Sequence, residues 1–309
     1  MKSMLNIVGV EKTFQGKKIL DDLSMTLNKG DLFGLIGTSG AGKTTLLKTI
    51  IGFTKPDKGK IYYRDRDITE NLDLIKRTFG FATQDKGFYE ELSLKSNMYY
   101  FGKMYDIPSK ELDERISYLL ELVGLENYME YKAQNLSGGM KRRLDIAISL
   151  LHKPEVLILD EPTSGLDPDL RKKMWYIIKR INSYGVTILM SSHLLEEMEY
   201  LCNNIALIKK GRITVSGTPG QLKSFYSKNH EVRIKSSPGN YKSLLTNLSS
   251  RGIPINQVSK RDDFLVYYTN SPYKSLEEIP RALTDTGEQP IEVSVEQPNL
   301  NEVFEAFNK

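Results

Sequence analysis

Asp31-Leu32-Phe33-Gly34-Leu35-Ile36-Gly37-Thr38-Ser39-Gly40-Ala41-Gly42-Lys43-Thr44-Thr45 is the stretch that decides the fold. An apolar run ends in glycines, and Gly37 to Thr44 fit the spacing G-x-x-x-x-G-K-[ST] of a phosphate-cradling loop between a strand and a helix. Glycines let the backbone curl so that successive N–H groups point inward, where the helix dipole also favours an anion. Gly37, Thr38, Ser39, Gly40, Ala41 and Gly42 are therefore the expected cradle, with Thr45 counted alongside. Lys43 is expected to reach the β- and γ-phosphates of a nucleotide, and Thr44 to offer its hydroxyl to Mg²⁺. The alternative, a glycine-rich turn that holds nothing, is disfavoured because strand, spacing, Lys-Thr and helix all agree.

Outward from this loop, Lys43 to Ile51 reads as a helix closed by Gly52, and LNIVGV at the start alternates like a strand. From about Ser109 to Leu151 the period is helical, with Leu119, Leu122 and Val123 on one face and Leu144, Ala147, Ile148 and Leu151 on another. Strand-like runs return at VLILD, VTILM, NIALIKK and RITVSG, with a helix around Leu170 to Tyr184. Strands alternating with helices indicate a parallel α/β core. In Val156-Leu157-Ile158-Leu159-Asp160-Glu161 a buried strand ends in two carboxylates. Adjacent strand residues point to opposite sides, so the two acids are expected to serve different places. Asp160 is the candidate for Mg²⁺ and Glu161 the candidate general base for the water attacking the γ-phosphate.

Of 309 residues, 39% are hydrophobic and 27% charged, the composition of an ordinary water-soluble chain with enough apolar matter for a sizeable core. No apolar run approaches the roughly 18 residues of a membrane span, so the chain itself is not expected to form a pore. The opening MKSMLNIVGV is expected to carry no secretory leader, and Cys202, the single cysteine, excludes an intrachain disulfide; a cytosolic compartment is expected. A formal charge of +4 is too small to imply a polyanion partner.

Further segments identify the chain as resembling the ATPases of ABC transporters. Asn135-Leu136-Ser137-Gly138-Gly139-Met140 resembles their signature motif, and Asp160-Glu161-Pro162-Thr163-Ser164-Gly165-Leu166-Asp167-Pro168 their Walker B and D-loop run. His193, after VTILMSS, matches the switch histidine, and Gln84, in FATQD, the Q-loop glutamine. The likeness covers roughly residues 4 to 220, with the motifs in the family's order. It implies a P-loop NTPase core over 1–220 with a helical subdomain at about 86–152. It also implies two such chains bound head to tail, a homodimer, around two ATP molecules. Ser137, Gly138 and Gly139 would then face the γ-phosphate on the partner, Gln84 would ligate Mg²⁺, His193 would contact the γ-phosphate, and Asp167 would join the two sites. Phe14 occupies the place where the family stacks an aromatic on adenine. Two departures stand out: Met140 replaces the usual Gln, which removes an amide near the partner's nucleotide, and Phe14 replaces the commoner Tyr, which leaves the ring face intact.

Lys141-Arg142-Arg143 reads as a solvated basic face rather than a nucleic-acid patch, and no nucleic-acid partner is expected. Tyr99, Tyr100, Phe101, Met104 and Tyr105 read mostly as packing within the helical subdomain. Yet ELSLKSNMYYFGKMYDIP resembles the stretch that exporter ATPases place near the groove for the membrane subunit's coupling helix, so one or two of these side chains are expected there. After Gly217 the segment TPGQLKSFYSKNH reads as a boundary. Beyond it, 221–309 reads as strand, helix, strand, strand, helix, strand, an α+β ferredoxin-like order. Its end, Val295 to Phe304, resembles the tail of daunorubicin-type exporter ATPases. Together these imply the ATP-hydrolysing subunit of an exporter, peripheral on the cytosolic face of a membrane and bound to a separate transmembrane permease. The rival is a non-transport ABC ATPase, regulatory or translation-associated.

Overall fold

The structure is a computed structural model, and it describes residues 3–83, 87–226, 230–261 and 263–296. The chain divides into two compact units, Met1–Pro219 and Gly220–Lys309. The first opens with β1 (Ser3–Phe14), β2 (Lys17–Asn28), β3 (Leu32–Ile36), α1 (Lys43–Ile50), β4 (Lys58–Tyr63), β5 (Arg66–Asp67), α2 (Leu72–Thr78) and β6 (Phe79–Ala82). Three helices follow, α3 (Leu94–Met104), α4 (Ser109–Leu122) and α5 (Gly138–Ser149). Then come β7 (Val156–Asp160), α6 (Pro168–Ser183), β8 (Thr187–Ser192), α7 (Leu195–Leu201), β9 (Asn204–Lys209) and β10 (Arg212–Gly217), and α8 (Pro219–Tyr226) starts at the boundary and belongs, after its first residue, to the second unit.

Among the described residues these strands make two sheets. One is antiparallel, in the order β2-β1-β4-β5, and the other runs β10-β9-β3-β8-β7-β6. In the second, β9, β3, β8, β7 and β6 are mutually parallel and β10 is an antiparallel edge. Every residue of β3, β7 and β8 is buried, as strands covered on both faces must be. Helix α1 contributes Leu46, Leu47 and Ile50 to a core shared with Ile7, Val10 and Ile61 of one sheet and Leu35, Ile158 and Leu189 of the other. Register does the rest of the work for function. Ile36 lies beside Ser192 and Asp160 beside Ser191, so the carboxyl ends of β3, β8 and β7 open at one edge, where open α/β sheets bind ligands.

The helical stretch begins earlier than the periodicity indicates. α3 starts at Leu94 because Ser93 caps it, its Oγ accepting from the Ser96 N–H at 3.1 Å, and Leu94, Asn97 and Met98 are buried. The aromatic residues on it are not core. Tyr100, Met104 and Tyr105 are exposed and Tyr99 and Phe101 half-buried, with Tyr100 edge-on to Tyr89 and Phe101, which stack on each other. The apolar face of α3 is carried instead by Leu94, Met98 and Gly102. Within the segment after Gly217, Pro219–Tyr226 forms helix α8, and the division between the two units falls there, at Pro219/Gly220.

The second unit contains β11 (His230–Ser237), α9 (Tyr241–Ser250), β12 (Asn256–Arg261), β13 (Phe264–Thr269), α10 (Pro272–Asp285) and β14 (Gln289–Glu296). Its sheet runs β12-β13-β11-β14, all antiparallel, and Leu244, Leu248, Ile279 and Leu283 of the helices pack with Val232, Ile234, Leu265 and Tyr267. This is the split βαβ arrangement.

Gly211, at φ +78°, turns β9 into β10, and a Cβ there would strike the Ile19 carbonyl. Gly211→Ala should therefore destabilise the first unit by about 1–3 kcal/mol, read as a fall in denaturant midpoint; an unchanged midpoint would show that the turn tolerates a side chain.

Candidate active site

The phosphate-cradle loop is shaped by its glycines. A Cβ on Gly37 would lie 2.5 Å from the Ile208 carbonyl oxygen, and Gly42, the residue before α1, has φ +108° with the Ile19 carbonyl 2.9 Å from where its Cβ would be. Only glycine lets the loop lie this close to β2 and β9. Gly40, at φ +77°, has open space where its Cβ would be, so the loop's inner surface stays clear. Lys43 is buried, its ammonium donating to the Gly37 carbonyl at 2.8 Å and lying 3.5 Å from a Glu161 oxygen. Thr44 and Thr45 are half-buried at the start of α1.

The acidic end of β7 is organised by Ser191. Its hydroxyl donates to Asp160 Oδ1 at 2.6 Å and accepts from the Glu161 N–H at 3.0 Å. Strand alternation does not separate the two acids, because β7 ends at Asp160 and Glu161 sits at φ +51°. That left-handed backbone, uncommon for a residue with a side chain, is where strain is stored at functional sites, and it turns the Glu161 carboxylate back over the loop. One of its oxygens meets Lys43 and the other lies 2.8 Å from His193 Nδ1. Glu161 is only 12% exposed at the side chain, whereas His193 is 55% exposed.

A cavity of about 660 Å³ spans these groups, lined by Phe14, Lys17, Ser39 to Thr45, Glu161, Ser164 and His193. Phe14 sits on its rim, about half exposed, with the Lys12 ammonium 5.4 Å from its ring centroid. Gly37 and Thr38 do not line the cavity; the Gly37 carbonyl accepts from the Lys43 ammonium at 2.8 Å and the Thr38 carbonyl from the Ala41 N–H at 3.1 Å. Ser137, Gly138, Gly139 and Asp167 are not part of this cavity. Ser137 caps α5, its Oγ accepting from Met140 N–H at 3.3 Å, and Ser137 and Gly138 are exposed. Asp167 caps α6, Oδ1 accepting from the Asp169 and Leu170 N–H groups at 3.1 and 2.9 Å, and is exposed as well. Gln84 lies outside the described residues.

The fit for a divalent cation rests on donor chemistry. Buried Asp160 and the Thr44 hydroxyl flank the loop as hard oxygen donors, and among the described residues no cluster of three His, Cys, Asp or Glu side chains forms a metal cage. A sparse oxygen set completed by phosphate and water suits Mg²⁺.

Two participants escape a reading of the sequence. Ser191 is one of three hydroxyl residues in buried β8, with nothing local to set it apart. Arg142 lies in the run read as a solvated face, and that reading is corrected here. Its guanidinium donates to the Thr83 and Asp160 carbonyls, and more distantly to that of Pro162 at 3.4 Å. Arg143 donates to the Val123 and Gly124 carbonyls, and Lys141 pairs with Glu90 at 2.8 Å. The reason is geometric: the run opens α5, where Arg142 meets the ends of β6 and β7 and Arg143 the end of α4 rather than water. Burial pushes the Arg142 guanidinium down from its ordinary value. Burial pushes the neighbouring Asp145 carboxyl up to about 7, despite Arg142 at 3.9 Å and N–H donors from Gly87 and Thr83.

The profile described as "ABC transporter" matches residues 20–164. The linearmycin resistance ATP-binding protein LnrL of Bacillus subtilis (strain 168) is 38% identical over 219 residues, 71% of this chain and 70% of that protein. The daunorubicin resistance ATP-binding protein DrrA3 of Streptomyces coeruleorubidus is 30% identical over 300 residues, 97% of this chain and 94% of that one. Among solved structures, cbiO1 of Clostridium perfringens, part of the ABC transporter complex cbiONQ, superposes with a TM-score of 0.68 at 26% identity, covering 72% of this chain and 92% of that chain.

The raised Asp145 carboxyl makes a signed prediction. Its folded value of about 7 lies above 3.8, so the folded state favours the protonated form and loses stability as pH rises between the two. Asp145→Asn removes that loss, and its stability advantage should grow by on the order of 2 kcal/mol between about pH 5 and about pH 8. Denaturant titrations at the two pH values check it, and an advantage independent of pH would contradict it.

Proposed function

Because the chain belongs to the ATP-binding family of ABC transporters and hydrolyses ATP, we propose that it is the engine of an exporter, driving a separate transmembrane permease. LnrL and DrrA3 are by name resistance ATP-binding proteins, and the alignment with DrrA3 runs over 300 residues. No helix among the described residues is long and apolar enough to cross a membrane, so attachment to the membrane is assigned to the permease. The cluster of exposed Tyr89 and Tyr100 with half-buried Phe101 on the helical subdomain is the surface assigned to that partner.

The observation that carries the reading is the Glu161 carboxylate held between Lys43 at 3.5 Å and His193 at 2.8 Å beside the glycine loop. Lys43, now bonded to the loop's own carbonyl, exchanges that partner for β- and γ-phosphate oxygens when ATP enters. Phe14 stacks on the adenine. Glu161 is then free to accept a proton from a water, whose oxygen bonds to the γ-phosphorus as the bond to the ADP oxygen breaks. His193 holds Glu161 and the γ-phosphate in line. Thr44, Asp160 and Gln84 would hold Mg²⁺, which when bound supplies positive charge to the β- and γ-oxygens.

Ser137 and Gly138 are exposed at the start of α5, with Gly139 buried behind them, away from this chain's own cavity. Helix N-termini favour anions. This supports a head-to-tail homodimer in which each signature closes the other chain's nucleotide, with Asp167 at the seam.

Glu161→Gln should bind ATP as the parent does, lose turnover by at least about 10²-fold, and accumulate as an ATP-bound dimer in size-exclusion chromatography with light scattering. Parental turnover in this variant would remove Glu161 from the role. Lys43→Ala should weaken nucleotide binding itself, measured by titration with labelled ATP.

A further inference from the structure

Outside the groups already assigned, the described residues bury a further carboxylate close to them. Glu197, on α7, is fully buried. Its Oε2 accepts from Thr163 Oγ1 at 2.9 Å and its Oε1 from Trp175 Nε1 at 2.8 Å, and the Ser192 hydroxyl also bonds to it. These donors belong to three separate segments. Thr163 stands two residues after Glu161, Trp175 is on α6, whose cap is Asp167, and Ser192 directly precedes His193. A buried carboxylate costs free energy unless fully hydrogen-bonded, so one anion with three donors is a fixed joint rather than a filler. Burial pushes the Glu197 carboxyl up from its ordinary value, and the three hydrogen bonds, with the nearby positive charge of Arg171, whose guanidinium donates to the Leu166 carbonyl at 3.3 Å, oppose that rise.

We propose that Glu197 is a positioning residue for hydrolysis: it clamps the turn that follows Glu161 to the strand end that carries His193, and so sets the contact between those two side chains. The clamp also reaches α6, so the segment assigned to the dimer seam and the switch histidine share one anchor. Without it, Thr163 and Ser192 would need other partners and the Glu161–His193 contact of 2.8 Å would lose its lateral support. Nucleotide binding, which rests on the loop and Lys43, would not change. The inference depends on the roles proposed above for Glu161 and His193.

The test uses the full chain and its only tryptophan. Glu197→Gln is isosteric, but its NH₂ group faces hydroxyl or indole donors, so the joint is loosened while volume is kept. Turnover should fall about tenfold with KM and ATP affinity within about twofold of the parent, the signature of lost transition-state positioning. Thr163→Val, which removes one donor, should lower turnover in the same way, and it decides the matter if Glu197→Gln does not fold. In the parent, ATP should shift the emission of Trp175, and Thr163→Val should diminish that shift. Parental turnover in a folded Glu197→Gln or Thr163→Val chain, or a raised KM with unchanged turnover, would overturn the proposal. Turnover by the parent chain in the same assay tests the ATPase reading separately, so the two failures are distinguishable.

Discussion

The structure depends on where a single carboxylate is held. Glu161 follows the last residue of a buried parallel strand, in a left-handed backbone conformation, and its two oxygens divide between a buried ammonium and an exposed imidazole. Nothing local to Glu161 produces that geometry. It comes from the pairing of β7 with β8 and of β8 with β3, which brings Asp160, Ser191 and the glycine loop to one edge. The Ser191 hydroxyl then fastens the two strand ends by donating to one acid and accepting from the backbone of the next. Because adjacent parallel strands are locked by side chains buried on both faces, the edge can carry strain without shifting.

The cavity gathers the loop, the ring of Phe14, Glu161 and His193, but not the exposed start of α5 or the α6 cap. Arg142 joins that helix to the strand ends through the Thr83 and Asp160 carbonyls, so α5 is tied to the backbone that carries the acids even though its N-terminus points elsewhere. In the proposed dimer the start of α5 completes a neighbour's nucleotide. A change at that contact would then have a short path of hydrogen bonds back to this chain's own Asp160.

Much of this was legible in the sequence, and the rest was hidden for identifiable reasons. The loop from Gly37 to Thr45 is readable because glycine spacing, lysine and the flanking apolar run are all local and each has one physical purpose. VLILD and VTILM are readable as buried strands for the same reason. Arg142 was misread because its neighbours along the chain are basic and polar, while its actual partners are carbonyls 59 and 18 residues away. Ser191 and Glu197 carry no local signal, since a hydroxyl in a strand and an acid in a helix acquire meaning only from what the fold packs against them. The aromatic stretch on α3 looked like core because aromatic residues usually are, yet the helix buries Leu94 and Met98 and leaves Tyr100 and Met104 outside.

The central claim is that each nucleotide needs the glycine loop of one chain and the α5 start of another. Mixing two inactive variants tests it directly: Lys43→Ala, defective in the loop, and Ser137→Arg, blocked at the signature. Each homodimer would contain two damaged sites, whereas a mixed dimer would contain one intact site built from the sound halves of both. The account predicts that the mixture recovers ATP turnover that neither variant has alone. A mixture as inactive as its components, or full turnover by the Ser137→Arg chain alone, would contradict it.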